Sequence, residues 1–275
     1  MPAPPEANAR VACEILFEDE ALVALHKPAG QVTQPGAGHR DDSLMNGLFA
    51  RDGATQTRLG DDRDWGLLHR LDRETSGVVL VARTKAAYDA LRAQFEDRAV
   101  EKTYLAALRG RLPSDDGTCT MALKEVRRGD MKVSALVPRG DLCMTHWRVL
   151  ARSRDRLAAA CAIETGRLHQ IRAHLAALGA PVEGDRVYRS LLPPNTSARR
   201  ERDAAPTLFL HAWRIAFSHP TTGARIEIEA VVPARMVAAL NESCGSPGVA
   251  LAGAIVRELP SVRGSRWWDR RGTRR

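Results

Sequence analysis

One carboxylate, Asp72, stands between two guanidiniums, Arg70 and Arg73, in the stretch His69-Arg70-Leu71-Asp72-Arg73-Glu74-Thr75-Ser76-Gly77. Positive charge on both sides favours the ionised form of an aspartate. Asp72 is therefore a candidate nucleophile beside groups able to grip phosphate. If 69–73 is extended, Arg70 and Asp72 project to one side and Arg73 to the other. A second chemically loaded segment is Thr165–Leu175, where Arg167 and Arg172 flank His169-Gln170 at the start of a predicted helix. A helix N-terminus with neighbouring guanidiniums suits phosphate or a carboxylate. His169 and His174 are five apart and lack the His-Glu-x-x-His spacing of a zinc site, so both read as structural or hydrogen-bonding residues. No metal site is expected.

These residues need elements to position them. Ile15–Phe17 and Leu22–Leu25 are apolar runs split by Glu18-Asp19-Glu20, which predicts a hairpin ending at Lys27. Residues 34–64 read as a long loop, broken by a short helix near Leu44–Phe49. The run Val78–Ala82 predicts a buried strand. Thr84 is then an N-cap for a helix over 85–97, on which Ala87, Leu91 and Phe95 recur every four residues. Val100–Leu108 predicts a strand carrying Lys102 and Tyr104 on one face. Residues 113–150 read as a β excursion and Leu157–Ile163 as a strand. Helical spacing returns at Ile171, Leu175 and Leu178, with Gly179 where a left-handed C-cap belongs. Residues 189–206 read as a loop, and Arg225–Ala230 alternates as a strand with one wet face. Few helices among recurrent long strands predict an α+β domain on a mixed, largely antiparallel sheet.

Five blocks, in order, resemble the motifs of the RluA-type pseudouridine synthases, enzymes that isomerise uridine within RNA. They are Leu25-His26-Lys27-Pro28-Ala29-Gly30, the His69–Gly77 stretch, Glu101-Lys102-Thr103-Tyr104-Leu105-Ala106, the segment Thr165–Leu175 with Gly179–Asp185, and Leu210–Trp213 with His219–Gly223. The resemblance implies the pseudouridine synthase fold, flanking helices on a sheet with a central RNA-binding cleft, and no cofactor. It implies Asp72 as catalytic aspartate, Tyr104 as the face on which a flipped uracil stacks, and a basic residue of the Arg167–Arg172 region as the aspartate's ion partner. Arg172 is favoured for that role because it lies in the first helical turn, and Arg167 remains open. The arginine matching Arg70 is associated with base flipping. Arg70, Arg73, Lys102, Arg167, His169 and Lys27 are the expected RNA-binding residues, with a plain turn and a solvated lysine as the alternative for Lys27. Asp185 reads as a structural residue tying a loop through backbone amides. Tyr188-Arg189 stands where the family commonly has Tyr-Gly. About a dozen residues precede the first block, so the chain resembles short members without an N-terminal S4-type domain.

Two rival readings touch the same residues. His-Arg-Leu-Asp superficially looks like a protein kinase catalytic loop, but a leucine separates arginine from aspartate. Gly77 also occupies the position five residues after the aspartate, where asparagine belongs, and no Asp-Phe-Gly occurs. A non-catalytic RNA-binding or ribosome-assembly protein on the same fold is the alternative to an enzyme. Asp72, Tyr104 and Arg172 together argue against it.

Composition sets the outer bounds. The 275 residues, 44% hydrophobic and 27% charged, suit a globular protein with a sizeable core. Five scattered cysteines without a C-x-x-C pair are expected to be reduced thiols. No apolar run of spanning length and no secretory signal is present, so a cytoplasmic monomer is expected. Of the net charge of +8, residues 256–275 carry +5, from seven arginines against Glu258 and Asp269. Overall basicity is thus weak evidence for an RNA partner. The expected organisation is a leader over 1–12, a catalytic domain over 13–242, and a basic tail over 243–275. Trp267-Trp268 among the tail's arginines suits RNA binding or plain solubility equally. The expected partner is ribosomal or transfer RNA.

Overall fold

The structure is a computed structural model, and it describes residues 3–189 and 207–242. The predicted loop at 189–206, apart from its first residue, and the tail from 243 onward lie outside the described residues. The chain divides into two compact units, Met1–Lys102 with Ala212–Val231, and Thr103–His211 with Val232–Arg275.

In the first unit, β1 (Glu14–Glu18) and β2 (Leu22–Lys27) form the expected antiparallel hairpin. Asp19 closes its turn, the carboxylate accepting from the amides of Ala21 and Leu22 at 2.8 and 2.9 Å. Ser43 then starts α1 (Leu44–Leu59) with a capping box, exchanging side-chain and backbone bonds with Asn46. This helix is much longer than the stretch expected near Leu44–Phe49. Its second half beyond a kink at Asp52 buries only Gln56 and Leu59, so no apolar period marks it. A tight turn at Asp61–Gly66 leads toward β3 (Ser76–Ala82), buried along its whole length and antiparallel to β2. Helix α2 (Lys85–Glu96) begins as expected, with the Thr84 side chain accepting from the Ala87 amide at 3.1 Å.

The second unit opens on β4 (Glu101–Arg109), whose first two residues belong to the first unit. The β excursion comprises β5 (Asp116–Cys119), β6 (Ala122–Arg128), β7 (Met131–Leu136), β8 (Asp141–Leu142) and β9 (Thr145–Arg152). Strand β10 (Arg156–Ile163) pairs antiparallel with both β4 and β9, and β9 with β5. Strands β7, β6 and β8 make a separate small antiparallel sheet. Helix α3 (Gln170–Ala177) carries Arg172 in its first turn, and Gly179 takes the left-handed conformation expected of it, φ +87°. Strand β11 (Leu210–Ser218) returns the chain to the first unit, where it neighbours β3 and pairs with β12 (Arg225–Glu229). Helix α4 (Ala234–Glu242) ends the described chain. The architecture is the expected α+β fold on mostly antiparallel sheet.

The core of the first unit gathers Leu22, Leu80, Leu91, Ile215 and Phe217 around β3 and α2. Here the glycine of the Asp72 stretch has a steric reason. Gly77 sits at φ +127°, and a Cβ added to it would lie 2.1 Å from the carbonyl oxygen of Ala212. Only glycine lets the stretch enter β3 this close to the neighbouring strand.

Candidate active site

The Asp72 loop is held by bonds that reach far along the sequence. Residues 69–72 carry no regular structure and turn at Arg73-Glu74. The Thr75 amide donates to the Asp72 carbonyl at 3.0 Å and closes that turn. Buried Thr33 brackets Leu71: its hydroxyl donates to the Leu71 carbonyl at 2.9 Å and accepts from the Leu71 amide at 3.1 Å. On the other side of Asp72, the Arg73 carbonyl accepts from the Gly30 amide at 2.8 Å and from Lys27 Nζ at 3.0 Å. The Asp72 carboxylate is half-buried between these two anchored neighbours.

Lys27 was expected at the RNA, with a solvated lysine as the alternative; neither describes it. Its side chain is fully buried, and its ammonium donates to the carbonyls of Pro28, Gln31 and Arg73 at 2.9, 2.7 and 3.0 Å. A group with no exposed surface and three backbone acceptors acts inside the fold. Burial lowers its pKa to about 7, against the pull of the Asp72 and Glu74 carboxylates. Lys102 is also mostly buried, its ammonium 5.5 Å from the centre of the Phe95 ring, and burial lowers it to about 8. That position serves packing rather than the RNA contact expected of it.

The two arginines beside Asp72 differ. Arg70 is exposed and has no ion-pair partner among the described residues. Arg73 is also exposed, but its Nε donates to the Gly30 carbonyl at 3.0 Å, and Glu74 lies 3.7 Å away. His69, given no role from sequence, accepts the Leu80 amide on Nε2 at 3.1 Å and stacks on Phe95 at 5.3 Å between centroids. Burial, with the Lys102 ammonium nearby, depresses its pKa to about 3. The neutral ring is thus part of the loop's anchorage.

The second constellation lies in the second unit. Arg172 meets Asp185 in a buried bidentate pair, Nε to Oδ2 at 2.7 Å and Nη2 to Oδ1 at 3.1 Å. Asp185 Oδ1 also accepts from the amides of Val187 and Tyr188 at 2.8 and 3.0 Å. The loop-tying role read from sequence is present, together with an arginine contact the sequence did not reveal. Tyr188 is fully buried and central: the Arg172 guanidinium lies 5.4 Å from its ring centre, and its hydroxyl accepts from the Ser134 amide at 2.8 Å. His169, at φ +53°, packs edge-on against the same ring with Nδ1 3.1 Å from the hydroxyl. Gln170 secures the helix entry, its amide nitrogen donating to the Met144 carbonyl at 2.9 Å and its oxygen accepting from the Thr165 hydroxyl at 2.7 Å. His174 is bonded to Thr145 and the Met121 carbonyl, as a structural histidine. Arg167 is exposed, 3.3 Å from Asp141. Tyr104 is largely buried on β4, opposite Cys161 of β10. Among the described residues, no group of three or more His, Cys, Asp or Glu side chains is arranged to hold a metal, and no helix is long and apolar enough to cross a membrane.

With this fold and these two constellations in place, comparison with known proteins is decisive. Residues 21–177 match the family described as RNA pseudouridylate synthase. The chain is 39% identical over 235 residues to "Ribosomal large subunit pseudouridine synthase D" of Xanthomonas campestris pv. campestris, covering 83% of this chain and 69% of that protein. It is 37% identical over 228 residues to the protein of the same name from Pseudomonas aeruginosa, covering 80% and 68%. The solved structure titled "Human RNA Pseudouridylate Synthase Domain Containing 1" shares the fold at a TM-score of 0.64 and 22% identity, over 93% of this chain and 98% of that one. The chain belongs to the RNA pseudouridine synthase family. It is an isomerase whose substrate is RNA.

Two outcomes test the anchorage. Lys27→Met takes the ammonium from the Pro28 and Gln31 carbonyls, each lost bond worth about 1–3 kcal/mol, while the Arg73 carbonyl keeps the Gly30 amide. Urea unfolding is expected to show a loss of about 2–4 kcal/mol, with turnover falling more than RNA affinity; a variant as stable and active as wild type would contradict the role. For His69, the unfolded chain takes up a proton near pH 6.5 that the folded ring refuses until about 3. Folding stability should therefore fall as pH drops through that window, by up to one proton's worth per molecule. His69→Gln should show a shallower decline, and an unchanged slope would count against the neutral, bonded ring.

Proposed function

We propose that this enzyme converts uridine to pseudouridine in large-subunit ribosomal RNA, with Asp72 as the catalytic carboxylate. The reaction breaks the N1–C1′ glycosidic bond, turns the base, and joins C5 to C1′. N1 gains a proton and C5 gives one up, so atoms and electrons balance without oxidation. A single carboxylate suffices to assist it, covalently or electrostatically. The observation that carries the reading is the fastening of both neighbours of Asp72, Leu71 by Thr33 and Arg73 by Lys27 and Gly30. Such anchoring fixes a carboxylate before substrate arrives, which is how an active site gains from orientation.

The remaining roles follow from chemistry and from the family. A uridine stacked in a helix must leave the stack to meet a side chain, at a cost of about a few kcal/mol. Arg70, an exposed guanidinium two residues from Asp72, is assigned to the space the base vacates. Tyr104 stacks the flipped uracil. Arg172, oriented by Asp185 and Tyr188, is assigned the role that the family resemblance gives to a basic residue of this segment. Exposed Arg73 and Arg167 are assigned to the RNA backbone, as is His169. The choice of large-subunit ribosomal RNA rests on the relatives of that name from Xanthomonas campestris and Pseudomonas aeruginosa.

The test is a map of pseudouridine in the ribosomal and transfer RNA of a strain lacking the gene. One or more large-subunit sites should disappear, return with the wild-type gene, and stay absent with Asp72→Asn. Loss confined to transfer RNA would overturn the substrate assignment, and restoration by Asp72→Asn would overturn the role of the aspartate.

A further inference from the structure

We propose that the β6–β7 hairpin is a second RNA grip, holding the sugar–phosphate backbone of the substrate away from the target uridine. The inference rests on the pseudouridine synthase reading above. The hairpin turns at Gly129-Asp130, with Gly129 at φ +58° and open space around it. Lys124, Arg127, Arg128 and Lys132 are all exposed. Their register is unusual: Arg127 lies directly opposite Lys132, and Arg128 opposite Met131. Like charges facing each other across a strand pair destabilise it. Lys132 has a counter-charge in Glu125 at 2.7 Å, while Arg127 and Arg128 have no ion-pair partner among the described residues. A polyanion laid across the tip would supply the counter-charge that Arg127 and Arg128 do not find among the described residues. Met131, 59% exposed beside these charges, adds an apolar surface suited to a sugar or base face.

The base of the hairpin is fixed, unlike its tip. The Ser134 amide donates to Tyr188 Oη at 2.8 Å, and the Ser134 hydroxyl donates to the Leu168 carbonyl. Leu123 and Leu136 pack with Ala173 and Ala176 of α3. A backbone gripped at the tip is therefore registered against the helix that carries Arg172, through the same tyrosine that packs on its guanidinium. Phosphate contacts of this kind position a substrate without reading its sequence.

The experiment uses the full chain and an unmodified large-subunit ribosomal RNA transcript. Binding is followed by fluorescence anisotropy over a range of KCl concentrations, and turnover by release of tritium from C5-labelled uridine. The double variant Arg127→Ser/Arg128→Ser should lower the slope of log K against log salt by roughly 1.4–1.8, about 0.7–0.9 per lost phosphate contact. KM should rise about tenfold with kcat unchanged, the pattern of lost uniform binding. Arg92→Ser on α2, which removes an exposed charge elsewhere, should leave both readouts at wild type. Wild-type affinity and slope in the double variant would overturn the proposal and favour a protein partner for the tip. An equal loss in Arg92→Ser would also overturn it, by showing a diffuse charge effect. Binding is read apart from turnover, so a wild-type chain without tritium release would refute the enzyme reading while the hairpin contact was still decided.

Discussion

A buried ammonium underlies the organisation of this site. Lys27 ends β2, opposite Gly77 at the start of β3, and its Nζ bonds the carbonyls of Pro28, Gln31 and Arg73. Desolvation makes a buried charge expensive unless its donors are filled, and here three backbone oxygens fill them. One side chain thereby fastens the Lys-Pro-Ala-Gly turn to a loop 46 residues away. Lys27 also lies close enough to Asp72 and Glu74 for their charges to act on it. The turn and the Asp72 loop behave as one piece because separating them would take from the Arg73 carbonyl both its donors, Lys27 Nζ and the Gly30 amide.

The same economy recurs around Arg172. Asp185 holds the Arg172 guanidinium in one orientation through both oxygens while keeping two backbone amides bonded. Tyr188 adds a ring against the guanidinium and shares its hydroxyl between Ser134 and His169. Residues without a chemical role in isomerisation thus carry the cost of orientation. In this chain the proposed reactive residues Asp72 and Arg172 are each set among such bonds.

Much of this was legible in the sequence, for identifiable reasons. Unbroken apolar runs marked β3 and β10, and a four-residue apolar repeat marked α2, each close to its observed bounds. The Asp72, Lys-x-Tyr and Arg167–Arg172 segments were visible as local clusters of chemistry. What was not legible depends on distance along the chain. Thr33 bonds Leu71 from 38 residues away, and no pattern near either residue announces it. The length of α1 was hidden because its second half buries an amide, Gln56, in place of an apolar stripe. Lys27 and Lys102 read as RNA-binding residues from their place in the resembled motifs, and no local pattern tells that the fold encloses them. Tyr188 matches the family's Tyr-Gly, with Arg189 as the departure, and only its packing reveals its central place.

The central claim is that Asp72 performs the chemistry while the bonds around it only hold it. Isomerisation at C5 must expel the hydrogen there, so tritium release from C5-labelled, unmodified large-subunit ribosomal RNA reports the reaction directly. Purified wild type should release tritium up to the number of target uridines, and Asp72→Asn should release none while binding the same RNA with unchanged affinity. Release by Asp72→Asn at the wild-type rate would contradict the account. Absence of release from the wild type on that substrate would instead mark the chain as an RNA-binding protein on a pseudouridine synthase fold.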